Sequence, residues 1–236
     1  MLSLPLTVAV LSEKGGVGKT TLALHLAYMF AKQCELQNVG YTEPEYEIAL
    51  IDADPQASIV SWYEERGKET LFKVVEYPKP YIHTEIDNLV SSRSLYRVID
   101  CPPRITDIAR SAVLASDYVL IPVQPSSLDV WACQDTIALI GEAVEKFNLK
   151  LHYGVALNRV IVNTEISRKV DTALRKAGIT VLDTWIKQRV AFAECVSAGK
   201  TIFETEPQSK GAYEMRQLFK DLIYQIDYGE LSHERP

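Results

Sequence analysis

The run Lys14-Gly15-Gly16-Val17-Gly18-Lys19-Thr20-Thr21 constrains this chain more than any other stretch. It follows the apolar segment LTVAVLS, the kind of strand buried on both faces of a parallel sheet. It precedes a helix predicted from Thr20 to Gln33, with Leu22, Leu26, Met29 and Phe30 on one face. A strand, a glycine loop and a helix in that order form a phosphate-binding loop. Gly15, Gly16 and Gly18 let backbone N–H groups turn inward around phosphate oxygens, with Val17 between them. The helix N-terminus at Thr21 adds partial positive charge. Lys19 would reach the outer phosphates, and the Thr20 hydroxyl would hold Mg²⁺. The common pattern G-x-x-x-x-G-K-[ST] is not met: Glu13 stands at its first Gly, and Lys14 is an additional lysine.

Two acidic motifs follow. Ile51-Asp52-Ala53-Asp54-Pro55-Gln56 closes a second apolar strand, and Val98-Ile99-Asp100-Cys101-Pro102-Pro103 closes another. Carboxylates two apart on a strand point the same way, so Asp52 and Asp54 would both face the phosphate loop. An acid such as Asp100, at the end of an apolar strand, is where a phosphate-loop nucleotidase holds Mg²⁺ through water. Further on, strands are predicted at LFKVVEYP, DYVLIPVQP, LHYGVALNRV and TVLDTWIK, with helices between them and a closing helix at KGAYEMRQLFKDLIYQI. Val/Ile/Leu-rich strands alternating with helices define an α/β fold, a mainly parallel, doubly wound sheet with helices on both faces. No linker or repeat divides residues 1–236, so one domain is expected, with a polar, acidic surface loop at 34–47 and a flexible tail at 228–236. Ligand should bind at the carboxyl ends of the strands.

Composition narrows the function classes. Hydrophobic residues make up 47% and charged residues 24% of 236, which excludes wholesale disorder. Cys34, Cys101, Cys133 and Cys195 form no CxxC pair, which argues against zinc or a redox dithiol and for free thiols in the cytoplasm. No run approaches the ~18 apolar residues of a membrane span. The net charge of −6 argues against coating nucleic acid through global charge. Its distribution is uneven. Residues 1–158 carry 13 Lys+Arg against 20 Asp+Glu, residues 159–220 carry 11 against 7, and residues 221–236 carry 1 against 4.

KGGVGKTT, DADPQAS and IDCPP, in this order, resemble the deviant-Walker ATPases of the ParA/MinD group. The late stretch IKQRVAFAECVSAGKTIFETEPQSKGAYEMRQLFKDL is similar to the ParA segment that ends in D-P-x-S-K-G-A, and it favours ParA over its relatives. The resemblance spans about Leu6 to Ile226, and without a helix-turn-helix extension it is to the short ParA type. It implies ATP and Mg²⁺ as ligands and a homodimer closed on ATP. Lys14 would cross that dimer to the partner subunit's nucleotide. Asp54 would position the hydrolytic water, and Asp52 and Asp100 would serve Mg²⁺. Asn158 matches a position that often contacts adenine, and it reads equally as a turn Asn. Two departures stand out. The family's Pro-Arg-Asn-Val-Arg run is here Lys187-Gln188-Arg189-Val190-Ala191, which loses a DNA-contacting arginine at Ala191. The loop at 34–47 is also longer than the tight connection usual there.

The expectation is a nucleoid-associated positioning ATPase. It would bind DNA nonspecifically as a dimer, through cations such as Lys187, Arg189, Lys200, Lys210 and Arg216. A ParB-like centromere-binding protein or a cargo adaptor would trigger ATP hydrolysis, which would be slow unaided. The alternatives are a MinD-like membrane ATPase or a metabolic ATP-dependent synthetase on the same fold. MinD ends in a basic amphipathic helix, whereas this tail, DYGELSHERP, is acidic and broken by Gly and Pro, which argues against a membrane.

Overall fold

Six strands, each rich in β-branched or aliphatic residues, pair in parallel throughout, in the order β3-β2-β4-β1-β5-β6. They are β1 Leu6–Val10, β2 Glu47–Asp52, β3 Lys73–Glu76, β4 Ser94–Asp100, β5 Tyr118–Val123 and β6 His152–Leu157. The crossovers are α1 Lys19–Gln37, α2 Ser58–Glu65, α3 Ile82–Leu89, α4 Asp107–Leu114 and α5 Ser127–Phe147, and α6 Glu165–Lys176 follows β6. Then come α7 Val190–Ser197, the single turn α8 Ile202–Thr205, and α9 Lys210–His233. This computed structural model describes residues 4–37, 47–91, 94–147, 150–162 and 164–233.

Because successive side chains on a strand point to opposite faces, each strand feeds two cores. Leu6, Val8 and Val10 of β1 pack with Leu22, Leu26 and Phe30 of α1 and with Met215, Leu218 and Leu222 of α9. Ala9 of β1 faces the other way, among Ile51, Ile99, Ala112, Val119 and Ile140. Both faces of the sheet are therefore dry, as the near-continuous apolar strands require. All four cysteines are buried free thiols. No helix among the described residues is long and apolar enough to cross a membrane.

Three elements differ from the sequence expectation. Helix α1 runs to Gln37 and β2 begins at Glu47, so most of the loop expected at 34–47 lies outside the described residues. TVLDTWIK is not a strand: it makes only isolated bridges, Val155 to Val181 and Val160 to Lys187. Its middle turns away from β6 because the Thr184 N–H donates to Asp221 Oδ2 on α9 (2.8 Å) instead of to a strand carbonyl. Helix α9 continues past Ile226 to His233, through residues expected to be a flexible tail.

Gly154 in β6 faces a crowded layer, where a Cβ would stand 2.1 Å from Tyr118 Oη and 2.6 Å from Leu182 Cδ1. Gly154→Ala is expected to cost about 1–3 kcal/mol through overpacking. Adding Tyr118→Phe removes the obstructing oxygen, a buried group without a hydrogen-bond partner, and is expected to recover part of that loss. Urea unfolding midpoints at constant m-value measure both.

Candidate nucleotide site

The parallel register brings the key residues level at one edge of the sheet. Val10 pairs with Asp100, and Asp100 pairs with Asp52. The glycine loop leaves β1 there, and Asn158 follows β6 at the same edge, its N–H donating to Val123 O (2.9 Å). The site thus lies outside the carboxyl ends of the strands, beside the central strand where the winding reverses.

Each loop residue has a distinct setting. Val17 is buried and anchors the loop from below, while Gly15 and Gly16 are exposed above it. Gly16 and Gly18 have φ of 76° and 95°, left-handed conformations that turn successive amides the same way. Gly18 is required on a second count, since a Cβ there would stand 2.4 Å from Asn158 Nδ2. Thr20 and Thr21 open helix α1. Lys19 is buried, and its ammonium donates to Lys14 O (3.1 Å). Burial lowers its pKa, opposed by Asp100, Cys101 and Asp54 nearby. Lys14 itself is half-buried at the rim.

The three acids are not equivalent. Thr20 Oγ1 donates to Asp100 Oδ2 (2.7 Å), while Asp100 Oδ1 is buried with no partner. Burial pushes the Asp100 pKa up to about 8, against the opposing Thr20 bond. An orphaned carboxylate oxygen beside a threonine hydroxyl fits a hydrated divalent cation held by Thr20 and Asp100. Asp52 instead turns inward: its Oδ2 accepts the Ile59 and Val60 N–H groups (3.0 and 3.1 Å), and its Oδ1 accepts Asp54 N–H (3.2 Å). It therefore holds the first turn of α2, and burial still raises its pKa despite those bonds. Asp54 lies past the strand end, half-exposed, with Oδ1 accepting Gln56 N–H (2.9 Å) in a turn closed by left-handed Ala57.

Beside the loop lies a cavity of about 720 Å³ lined by Gly18, Thr21, Leu22, Asn158, Arg159 and the stretch from Ile186 to Val190. Asn158 is buried, and its Nδ2 donates to Val17 O (2.7 Å), so it braces the loop as well as lining the cavity. The five basic residues expected to meet DNA separate into two groups. Lys187 Nζ and Arg189 Nη2 both bind Glu214 Oε1 (2.9 and 2.6 Å) at the cavity edge. Burial would raise the Glu214 carboxyl, but hydrogen bonds from Arg189 and Lys187 outweigh it and hold the pKa low. One carboxylate thus partly neutralises these two half-buried charges. Lys200 and Lys210 are exposed, and Arg216 donates to Pro207 O (2.8 Å) while lying over the Phe203 ring.

Sequence reasoning missed two residues. Arg159, left-handed at φ 52°, donates from Nη1 to Gly16 O (2.6 Å). His25 is fully buried one turn after Thr21, with Nδ1 against Thr21 O (2.6 Å) and Nε2 accepting Ile202 N–H (3.0 Å). Those bonds fix the neutral Nδ1–H tautomer and tie the loop helix to α8. A polar His between Leu24 and Leu26 on a buried helix was the available signal for it.

A glycine loop at a helix N-terminus, a lysine inside it and a Thr–Asp pair beneath it define a phosphate-loop nucleotide-binding fold. The chain belongs to the CobQ/CobB/MinD/ParA nucleotide-binding domain family, whose model matches residues 8–202. It is 29% identical to the maintenance of carboxysome distribution protein A of Halothiobacillus neapolitanus over 92% of this chain and 96% of that one. With the protein of the same name from Gloeobacter kilaueensis it shares 30%, over 95% of each. With the chromosome-partitioning ATPase Soj of Thermus thermophilus it shares 25%, over 93% and 96%. Its fold is similar to that of a Cyanothece McdA variant in complex with ATP (TM-score 0.72, 16% identity, 92% and 96% covered). It is also similar to that of a putative plasmid partition protein from Borrelia burgdorferi bound to AMPPNP (TM-score 0.72, 20%, 94% and 99%).

His25 has its pKa lowered to about 4 by burial, against the opposing Thr21 bond. The unfolded chain therefore binds more protons between pH 4 and 6.5, so stability is full above pH 6.5 and falls as pH drops towards 4. The loss is about 3 kcal/mol for this group. His25→Gln, compared with the parent by urea unfolding at pH 7.5 and 4.5, is expected to lose this part of the pH dependence.

Proposed function

We propose that this chain is a positioning ATPase of the ParA type, with ATP and Mg²⁺ as its ligands. The observation that carries the reading is the glycine loop with Lys19 inside it and the Thr20–Asp100 pair, with its orphaned Oδ1, beneath it. The names of the ATP- and AMPPNP-bound structural neighbours support the same ligand. In this reading the amides of Gly15, Gly16, Val17, Gly18 and Thr21 and the Lys19 ammonium receive the phosphates. Thr20 and Asp100 hold Mg²⁺, which supplies charge neutralisation at the transferring phosphoryl group. Asp52 serves that site indirectly by fixing the turn that carries Asp54. Asp54, half-exposed at the strand end, orients the attacking water. Asn158 lines the base side of the cavity while bracing the loop.

Lys14 is the residue we assign to dimerisation. It stands at the rim next to exposed Gly15 and Gly16, where a partner subunit's nucleotide would approach. A dimer would double a basic surface that is weak on one acidic chain and so make DNA binding depend on ATP. With Lys187 and Arg189 partly neutralised by Glu214, exposed Lys200 and Lys210 are the stronger candidates for that surface. The relatives named for carboxysome distribution favour a protein body as cargo, delivered by an adaptor protein, over a plasmid with a ParB-like partner.

Asp54→Ala is expected to bind ATP and dimerise like the parent but hydrolyse roughly 10²-fold more slowly or worse. Lys14→Ala is expected to weaken ATP-dependent DNA binding far more than ATP binding. Nucleotide binding by calorimetry and DNA mobility shifts across a salt series measure both, with nonspecific affinity expected near 10⁻⁴–10⁻⁶ M and falling steeply with salt. Equal loss of ATP and DNA binding in Lys14→Ala would count against the crossing lysine.

A further inference from the structure

Two consecutive residues at the end of β6 act on two consecutive peptides of the glycine loop. Asn158 Nδ2 donates to Val17 O at 2.7 Å, and Arg159 Nη1 donates to Gly16 O at 2.6 Å. On an extended strand neighbouring side chains point to opposite faces. Here they reach the same loop because Arg159 is in the left-handed region at φ 52°, a conformation that costs energy for any residue with a Cβ. The backbone on either side is fixed independently, by Asn158 N–H to Val123 O (2.9 Å) and Val160 N–H to Ile186 O (3.0 Å). The kink is thus imposed between two anchored points.

The consequence follows from peptide geometry. The Gly16–Val17 and Val17–Gly18 peptides are trans, so each carbonyl points opposite to the N–H of the same peptide. Drawing Gly16 O and Val17 O towards β6 turns the Val17 and Gly18 N–H groups away from it, towards the concave side of the loop. Gly18 permits the close approach, since a Cβ there would strike Asn158 Nδ2 at 2.4 Å. We propose that Asn158 and Arg159 form a two-point clamp that aims the loop amides at the phosphates, with Arg159 as a positioning residue. Its guanidinium binds protein carbonyl rather than ligand, and it spares the loop the entropy of ordering when nucleotide arrives. The clamp rests on the nucleotide-binding reading above.

Arg159→Gly is the discriminating variant, because glycine takes the left-handed backbone without strain and removes only the side chain. Its melting temperature is expected to equal or exceed the parent's. ATP and ADP binding by calorimetry is expected to weaken roughly three- to tenfold, the cost of ordering about one loop residue that the clamp otherwise fixes in advance. The backbone order parameters of Val17 and Gly18 without nucleotide are expected to fall from about 0.85 towards 0.6. Arg159→Lys, with a cation but no planar fork, is expected to lie between the two. Unchanged ATP affinity in Arg159→Gly overturns the clamp and leaves the nucleotide site standing. A parent chain that binds no ATP overturns the nucleotide reading and the clamp with it.

Discussion

The parallel ladder between β1, β4 and β2 is the constraint on which the site depends. Parallel strands in one sheet all end at the same edge, and this register sets Val10, Asp100 and Asp52 abreast. Everything that touches phosphate or metal in the proposed reading leaves the sheet from that line, and the residues that brace the loop follow β6, two strands from β1. A slip of one residue in β4 would turn Asp100 to the opposite face and break its bond to Thr20. The dry cores on both faces fix the register, because such a slip would also exchange the two sets of apolar side chains. Packing far from the loop therefore decides where the acids stand.

The loop is then held from three directions. Val17 is sunk into the core beneath it, Asn158 and Arg159 draw its carbonyls sideways, and His25 ties the following helix to α8. Such a loop has little to gain by rearranging when a ligand arrives. The connection through His25 reaches further. Ile202, which donates to it, opens α8, whose cap Thr201 donates to Glu204, and Glu204 also accepts from Arg66 at the end of α2. Helix α2 in turn starts on Asp52. The loop helix, α8 and the Asp52 turn thus form one closed hydrogen-bonded circuit around the edge of the sheet.

The sheet, its crossover helices and the loop were legible because each depends on local pattern: apolar strands, amphipathic helices, glycines between them. Lys19, Thr20, Asp52, Asp54 and Asp100 were legible as a group because they follow those strands directly. What was not legible is what side chains do over long separations. Asp52 pointing into α2, Glu214 collecting Lys187 and Arg189, and Asp221 pulling Thr184 out of a strand each depend on partners 7 to 37 residues away. Periodicity carries no information about such pairs. TVLDTWIK has a strand's composition, yet its Thr184 N–H goes to a carboxylate on α9 and the segment makes only isolated bridges. Arg159 was invisible for a related reason, since its left-handed backbone appears only once the anchors on both sides are in place.

The charge pattern at the edge of the sheet bears on the order in which ligands would enter. Asp54 and Asp100 lie near the buried Lys19 ammonium, and Glu13 lies near Asp135, where burial and that neighbour raise its pKa. A bare polyphosphate approaching this edge meets carboxylates as well as amides. Asp100, its pKa pushed up to about 8 by burial even with the Lys19 ammonium nearby, is costly to ionise. A divalent cation arriving with the nucleotide would reverse that, since it stabilises ionised Asp100 and cancels the repulsion from its neighbours. The acids that make the site look hostile to an anion would then select an anion that brings its own metal. The same logic applies to the chain as a whole. An acidic protein would bind acidic nucleic acid only where its cations are gathered, and a second copy would double any such gathering.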